Sequence, residues 1–153
     1  MSYDLLVFDP SVAPRDRPAF VSWWKELSEW KEPHSYDDPN ITTDGLRAWY
    51  EELELEWPCL NGPGFKEENL DSAHLTDYSI GGHMIYAGFP WSEAEHAYEA
   101  VRRLAVRHRV GFYDVSGDEG DGEIHFPGDE LRPPSGGAWR QIAQQFRHLR
   151  DSE

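Results

Sequence analysis

The run Asp77-Tyr78-Ser79-Ile80-Gly81-Gly82-His83-Met84-Ile85-Tyr86-Ala87-Gly88-Phe89 decides how this chain is read. Two β-type stretches, 77–80 and 83–89, flank Gly81-Gly82 in the manner of a tight hairpin. Alternation in the second stretch puts His83, Ile85, Ala87 and Phe89 on one face, with Met84 and Tyr86 opposite. Just downstream, Ser92 and Glu95 have the spacing of a capping box, and Ala94, Ala97, Tyr98, Val101, Leu104 and Ala105 recur at the helical period. Arg102, Arg103, Arg107 and Arg109 gather where they meet the negative pole of that helix. The spacing therefore predicts a strand, strand, helix unit.

Working outward, Leu5 to Phe8 is a short apolar run closed by Asp9-Pro10, which reads as a buried first strand. Asp16 can cap a helix that Pro18 starts, with apolar residues at Phe20, Trp23, Trp24, Leu27 and Trp30. After a turn-rich segment from Pro33 to Asn40, Thr43 caps a second helix carrying Leu46, Trp49, Tyr50, Leu53 and Trp57, which Pro58 stops. A long polar connection from Pro58 to about Thr76 contains the turn signal Asn61-Gly62-Pro63-Gly64. Beyond the hairpin unit come a strand over Val110 to Val115, a turn over Ser116 to Gly122, and a short strand over Glu123 to Phe126. A last helix from about Gly137 is expected to bury Trp139, Ile142, Ala143, Phe146 and Leu149.

Without its second and last helices, this order is the split β-α-β-β-α-β pattern of ferredoxin-like folds, an α+β class with an antiparallel sheet. The expected form is that core with an extra helix after the first helix and a C-terminal helix. Right-handed crossovers place the first and third helices on one face of the sheet. The other face then needs the terminal helix or the helix Leu46 to Trp57 as cover.

A chain of 153 residues fits one domain, 1–153, and 14% aromatic content with seven Trp argues against disorder. The lone cysteine, Cys59, cannot form an internal disulfide. Its place after an acidic helix raises a thiol's pKa, so a nucleophilic role is disfavoured. The N-terminus lacks the basic region and long apolar run of a signal peptide, and no stretch approaches about 18 consecutive apolar residues. A cytoplasmic protein without membrane contact is expected.

Charge is the strongest compositional signal. Twenty-nine acidic residues against fourteen basic ones leave a net charge of −15. The excess is regional: residues 26–77 hold fourteen acids and three bases, residues 112–130 hold seven acids and no base, and the remainder is slightly basic. A field of that sign attracts basic surfaces and repels nucleic acid and anionic membrane. The competing reading is that acid only keeps a small protein dispersed.

Catalytic signatures are absent from the sequence. Asp114, Ser116 and Asp118 alternate as at the start of a calcium loop, but Glu119 stands where that loop needs glycine and His125 where it needs glutamate. No metal site and no cofactor is assigned. None of the seven histidines forms H-E-x-x-H. His83 and His125 lie on predicted strands from which they could approach Asp114, so a site on the sheet is conceivable. No G-x-S-x-G, P-loop or G-x-G-x-x-G appears, and the glycines at 117, 120 and 122 are interleaved with carboxylates that repel phosphate.

Glu51, Glu52, Glu54 and Glu56 project from the second helix, whose other side is apolar. A solvated face is the ordinary reading of such a run. Yet only Arg47 offers local pairing, and tolerated repulsion fits a surface kept for a basic partner. Asp118, Glu119 and Asp121 form a second contact candidate. An exposed tryptophan among these acids, from Trp23, Trp30, Trp57 or Trp91, would supply an anchor.

Tyr3-Asp4-Leu5-Leu6-Val7-Phe8-Asp9-Pro10, Tyr36-Asp37-Asp38-Pro39, Asp77-Tyr78-Ser79-Ile80-Gly81 and Gly111-Phe112-Tyr113-Asp114-Val115-Ser116-Gly117-Asp118 together resemble small acidic bacterial proteins similar to the immunity proteins of interbacterial toxins. The resemblance implies a binding protein of immunity or antitoxin type that occludes a basic effector site, and no functional residue carries over from it. The alternative is a small ferredoxin-like enzyme or ligand binder, with an aromatic pocket on the open sheet face bounded by His83, Tyr86, Tyr113 and Asp114. A third reading is an oligomer paired through its sheet edges.

Overall fold

Strand β1, Tyr3–Phe8, is apolar on both sides and buried on both: Tyr3, Leu5 and Val7 enter one core, Leu6 and Phe8 another. A sheet built on such a strand needs cover on each face. The computed structural model describes residues 2–60, 62, 64–118, 120 and 122–129. After β1 come α1 (Arg17–Leu27), α2 (Asp44–Leu53), β2 (Asp77–Ile80), β3 (Met84–Phe89), α3 (Ala94–Arg107), β4 (Gly111–Tyr113) and β5 (Ile124–His125). The strands form one antiparallel sheet in the order β2-β3-β1-β4-β5. The α+β class with an antiparallel sheet is as the sequence predicts.

The hairpin forms, but its turn includes His83, which was expected in the second strand, and β3 begins at Met84. β2 and β3 pair from Asp77 opposite Gly88 to Ile80 opposite Ile85, and the Gly81 amide donates to the Met84 carbonyl at 2.8 Å. Ile85, Ala87 and Phe89 lie in one core, while Met84 and Tyr86 belong to the other.

The first core packs α2 and α3 together. Leu46, Trp49, Tyr50 and Leu53 of α2 meet Ala97, Tyr98, Val101, Leu104 and Ala105 of α3 over one sheet face. Trp49 is fully buried, and its indole Nε1 donates to the Val101 carbonyl at 3.2 Å. Removing roughly 200 Å² of aromatic surface from water contributes up to about 5 kcal/mol before the entropy of ordering is counted. The second core is smaller and aromatic. There Phe20 of α1 meets Phe8 at 4.9 Å and Tyr113 at 5.2 Å between ring centroids.

This arrangement corrects the expected placement of helices. The helix that shares a face with α3 is α2, and α1 covers the opposite face. Of the two helices in the crossover from β1 to β2, the second is thus the one that packs beside α3. Periodicity shows that each helix has one apolar side but not which sheet face that side meets. The α2 stripe is wholly buried, whereas in α1 only Phe20 is, with Trp23, Trp24 and Leu27 half-buried.

Helix starts follow the predicted caps at two places: Asp16 accepts from the Ala19 amide at 3.1 Å and Thr43 from the Leu46 amide at 3.3 Å. The capping box before α3 does not form. A 3-10 turn over Trp91–Glu93 leads in instead, and the side chain of the cap residue Glu93 bonds no helix amide but meets His96 Nδ1 at 3.0 Å. Helix α2 ends at Leu53, and residues 54–57 continue as tighter turns, with Leu55 N bonding Glu52 O and Glu56 N bonding Leu53 O. Glu54 and Glu56 therefore sit at the negative pole of the helix, where the dipole disfavours them. The predicted terminal helix with Trp139, Ile142, Ala143, Phe146 and Leu149 lies outside the described residues. Among the described residues no helix is long and apolar enough to cross a membrane.

The connection from Pro58 to Thr76 is tied down at its ends. Cys59 and Thr76 form a parallel bridge, and the Tyr78 hydroxyl donates to the Trp57 carbonyl at 2.8 Å. His74 stacks on Trp57 with centroids 3.9 Å apart. The excursion is therefore fixed beside the end of α2.

Candidate functional site

At the end of α2 the four predicted glutamates have different surroundings. Glu51 and Glu56 are exposed, and neither has an ion-pair partner among the described residues. Glu52 accepts from Arg107 Nη1 at 3.0 Å and His108 Nε2 at 2.8 Å, joining α2 to the end of α3. Only Arg47 was expected to offer local pairing, and the partners of Glu52 are not local: packing α2 against α3 brings in Arg107 and His108 from more than fifty positions away. Arg47 itself pairs with Asp44 at 3.1 Å. Glu54 is half-buried, with Oε1 3.9 Å from the Cys59 thiol. Burial pushes its carboxyl up, against the opposing pull of Lys66 and Cys59. Burial also pushes the Cys59 thiol up; a hydrogen bond with Tyr50 opposes this and the charge of Glu54 adds to it. The thiol is held in its weakly nucleophilic protonated form, as the sequence implied.

Apolar exposure concentrates in the same region. Leu55 is 82% exposed, and Leu60, Phe65 and Leu70 are exposed as well. Among the described residues, four of the six exposed large hydrophobic residues thus fall within residues 55–70. Exposed acids Glu67, Glu68 and Asp71 lie in the same stretch. Leu55 shares a shallow groove of about 340 Å³ with Glu54, Glu56, Glu68 and one cation, Lys66. The apolar centre is leucine rather than the tryptophan anticipated: Trp57 is 1% exposed, and Trp23, Trp30 and Trp91 are partly buried.

Among the described acids of the second segment, Asp114, Asp118 and Glu123 turn inward, while Asp129 is exposed and pairs with Arg15 at 3.3 Å. Asp118 accepts from the Tyr113 hydroxyl and from the amides of Gly120 at 2.7 Å and Gly122 at 3.0 Å, and pairs with Arg17 at 3.5 Å. Burial opposes its charge, but these donors and the Arg17 cation outweigh it and hold the carboxyl below the usual aspartate range. Its carboxylate, named as a candidate partner contact, is engaged by these donors within the fold. Asp114 is fully buried and accepts from the Gly117 amide at 3.0 Å. Glu123 is buried and accepts from the Tyr98 hydroxyl at 2.5 Å and from Arg102 Nε and Nη2 at 3.0 and 2.9 Å. Two-point binding of this kind fixes a buried carboxylate in place. Glu119 and Asp121 lie outside the described residues.

The pocket expected on the sheet face is assembled only in part. Tyr86 and Tyr113 do come together, flanking Leu6 in register on the α1 side, and Trp24 lies over both with centroids at 6.5 and 5.8 Å. The Tyr86 hydroxyl donates to Asp4 Oδ2 at 2.6 Å, and burial with that carboxylate pushes its phenol above the usual range. His83 is elsewhere: half exposed, its Nδ1 lies 3.3 Å from Asp9 Oδ2. Register places His83 beside Asp9, while Asp114 follows the residue opposite Leu6, on the far part of β1. Four residues of extended strand span about 13 Å, so His83 does not approach Asp114. His125 is buried on β5 opposite Phe112.

Trp30, just beyond α1, is a feature that periodicity could not flag. Its φ of +54° lies in the left-handed region, where a bulky residue costs roughly 1–3 kcal/mol. Its ring meets Tyr36 at 4.9 Å and Tyr86 at 6.4 Å.

Among the described residues no group of three or more His, Cys, Asp or Glu is placed to hold a metal ion. Comparison with protein-family models, with curated proteins and with solved structures found no match.

Proposed function

We propose that this chain is a binding protein of immunity or antitoxin type, built on a ferredoxin-like core, which masks a basic effector through the acidic surface at the end of α2. One observation carries the reading: Leu55, 82% exposed, stands beside Glu54, Glu56 and Glu68 in a region where further exposed leucines and acids gather. An exposed apolar group whose rim carries Glu54, Glu56 and Glu68 against the single cation Lys66 suits a partner of opposite charge, since the apolar contact supplies burial while the excess carboxylates steer the encounter. The ferredoxin-like reading rests on the antiparallel order β2-β3-β1-β4 with α2 and α3 on one face, β5 extending the edge and α1 covering the other side.

Because Asp114, Asp118 and Glu123 turn inward, the reading rests on the first acidic segment. Glu51, Glu56, Glu67, Glu68 and Asp71 are the contacts assigned, with Glu52 holding the scaffold beneath them. Co-expression with the product of the adjacent gene tests the reading. The expected result is a co-purifying complex and rescue of growth from that product's toxicity; absence of both contradicts it.

A further inference from the structure

Across the sheet from α2, on the side that α1 covers, a cleft of about 370 Å³ opens over β2, β3 and β1. Its floor includes the row Asp77, Gly88, Asp4, set side by side by the strand register. Neighbouring strands lie about 4.8 Å apart, so two aspartates flank a position that carries no side chain. Trp24, Trp30 and Tyr86 form its aromatic walls, and no Lys or Arg lines it among the described residues. The planes of Trp24 and Tyr86 are only 27° apart, which aligns their faces.

The strand itself does not call for glycine at position 88. Its φ is outside the left-handed region, and pairing with both neighbouring strands runs through it unbroken. A glycine inside a regular strand weakens it and marks the close approach of another group. A Cβ built there would come within 3.3 Å of Asp4 Oδ1 and 3.4 Å of Ser2 Oγ, beside two of the cleft's own residues. The strained left-handed backbone of Trp30 is a second local irregularity at the same cleft. The bare backbone at Gly88 lets Asp4 and Ser2 close over the strand, where Asp4 accepts from the Ser2 hydroxyl at 2.5 Å and the Tyr86 hydroxyl at 2.6 Å, and it leaves the exposed Asp77 as the more open acceptor of the cleft beside its aromatic walls.

We propose that this cleft binds an organic cation through a guanidinium group. A planar guanidinium stacks on indole and phenol faces while its edge donates to carboxylates, a combination that spherical ions and anions cannot satisfy. The group could belong to a free guanidine or to an arginine side chain of a protein. The site is separate from the acidic end of α2, so either reading can fail without the other.

Calorimetric titration of the full chain with agmatine, with acetyl-Gly-Arg-Gly-amide and with its citrulline counterpart decides the matter. Saturable binding of at least one guanidinium probe is expected, at least tenfold weakened in Asp77→Asn and in Gly88→Val, with no saturation by the neutral citrulline peptide. Tighter binding of agmatine assigns a free guanidine; tighter binding of the peptide assigns a side chain. If Gly88→Val fails to fold by circular dichroism, Asp77→Asn, exposed on the sheet edge, still decides. No saturation by either cation, equal binding of citrulline, or unchanged affinity in Asp77→Asn overturns the proposal.

Discussion

Single residues carry tasks that their type alone does not announce. Gly111 begins β4 directly beneath Phe8: a Cβ there would lie 2.1 to 2.6 Å from ring atoms of a phenylalanine that is itself fully buried. Gly111→Ala is therefore expected to destabilise the fold by about 3 kcal/mol in urea unfolding, since the ring has nowhere to go. Asp118 was legible as an acid in a glycine-rich turn, but not as the acceptor that organises the turn, because Arg17 and Tyr113 reach it only once α1 and β4 are in place. Its carboxyl is held below the ordinary aspartate value, so the folded chain binds that proton more weakly than the unfolded chain does. The resulting stabilisation is fully present above the unfolded value near 3.9 and is lost as pH falls through the lower folded one. Asp118→Asn should accordingly lower the melting temperature at pH 7, and its deficit against the parent chain should shrink below about pH 4. A deficit independent of pH would show that the charge is not what the turn uses. Glu52 teaches the same lesson, for its partners Arg107 and His108 are remote in sequence and adjacent in the fold.

Elements were more legible than their placement. Alternation over 83–89 assigned Ile85, Ala87 and Phe89 to one core and Met84 and Tyr86 to the other, because the pleat leaves no choice once the strand exists. Asp16 and Thr43 were readable as caps since a cap acts within one turn of chain. Which helix lies on which face was not readable: that depends on how completely two stripes, far apart in sequence, fill each other's gaps. The pairing of α2 with α3 is centred on Trp49 and its bond to Val101. Trp49→Phe keeps an aromatic ring but removes the donor and part of the volume, and should destabilise by about 2 kcal/mol in chemical denaturation. No change would place the weight of that interface elsewhere along α2.

At the scale of the whole molecule, the sequence showed that the acid is regional but not which of it faces outward. Among the described residues, Asp114, Asp118 and Glu123 of the second acidic segment are turned into the fold and Asp129 is exposed beside Arg15, while the first presents Glu51, Glu56, Glu67, Glu68 and Asp71 to solvent. A directed field of this kind accelerates encounter with a basic surface and weakens with salt as the screening length falls from about 10 Å at 0.1 M to about 3 Å at 1 M. The most direct test is stopped-flow association of the purified chain with the adjacent gene's product, comparing the parent with Glu51→Lys/Leu55→Ala/Glu56→Lys at low and high salt. Masking by the end of α2 predicts that the triple variant associates at least tenfold more slowly and loses most of the salt dependence, while its melting temperature stays close to the parent's. Association at the parental rate and with the parental salt dependence would contradict it.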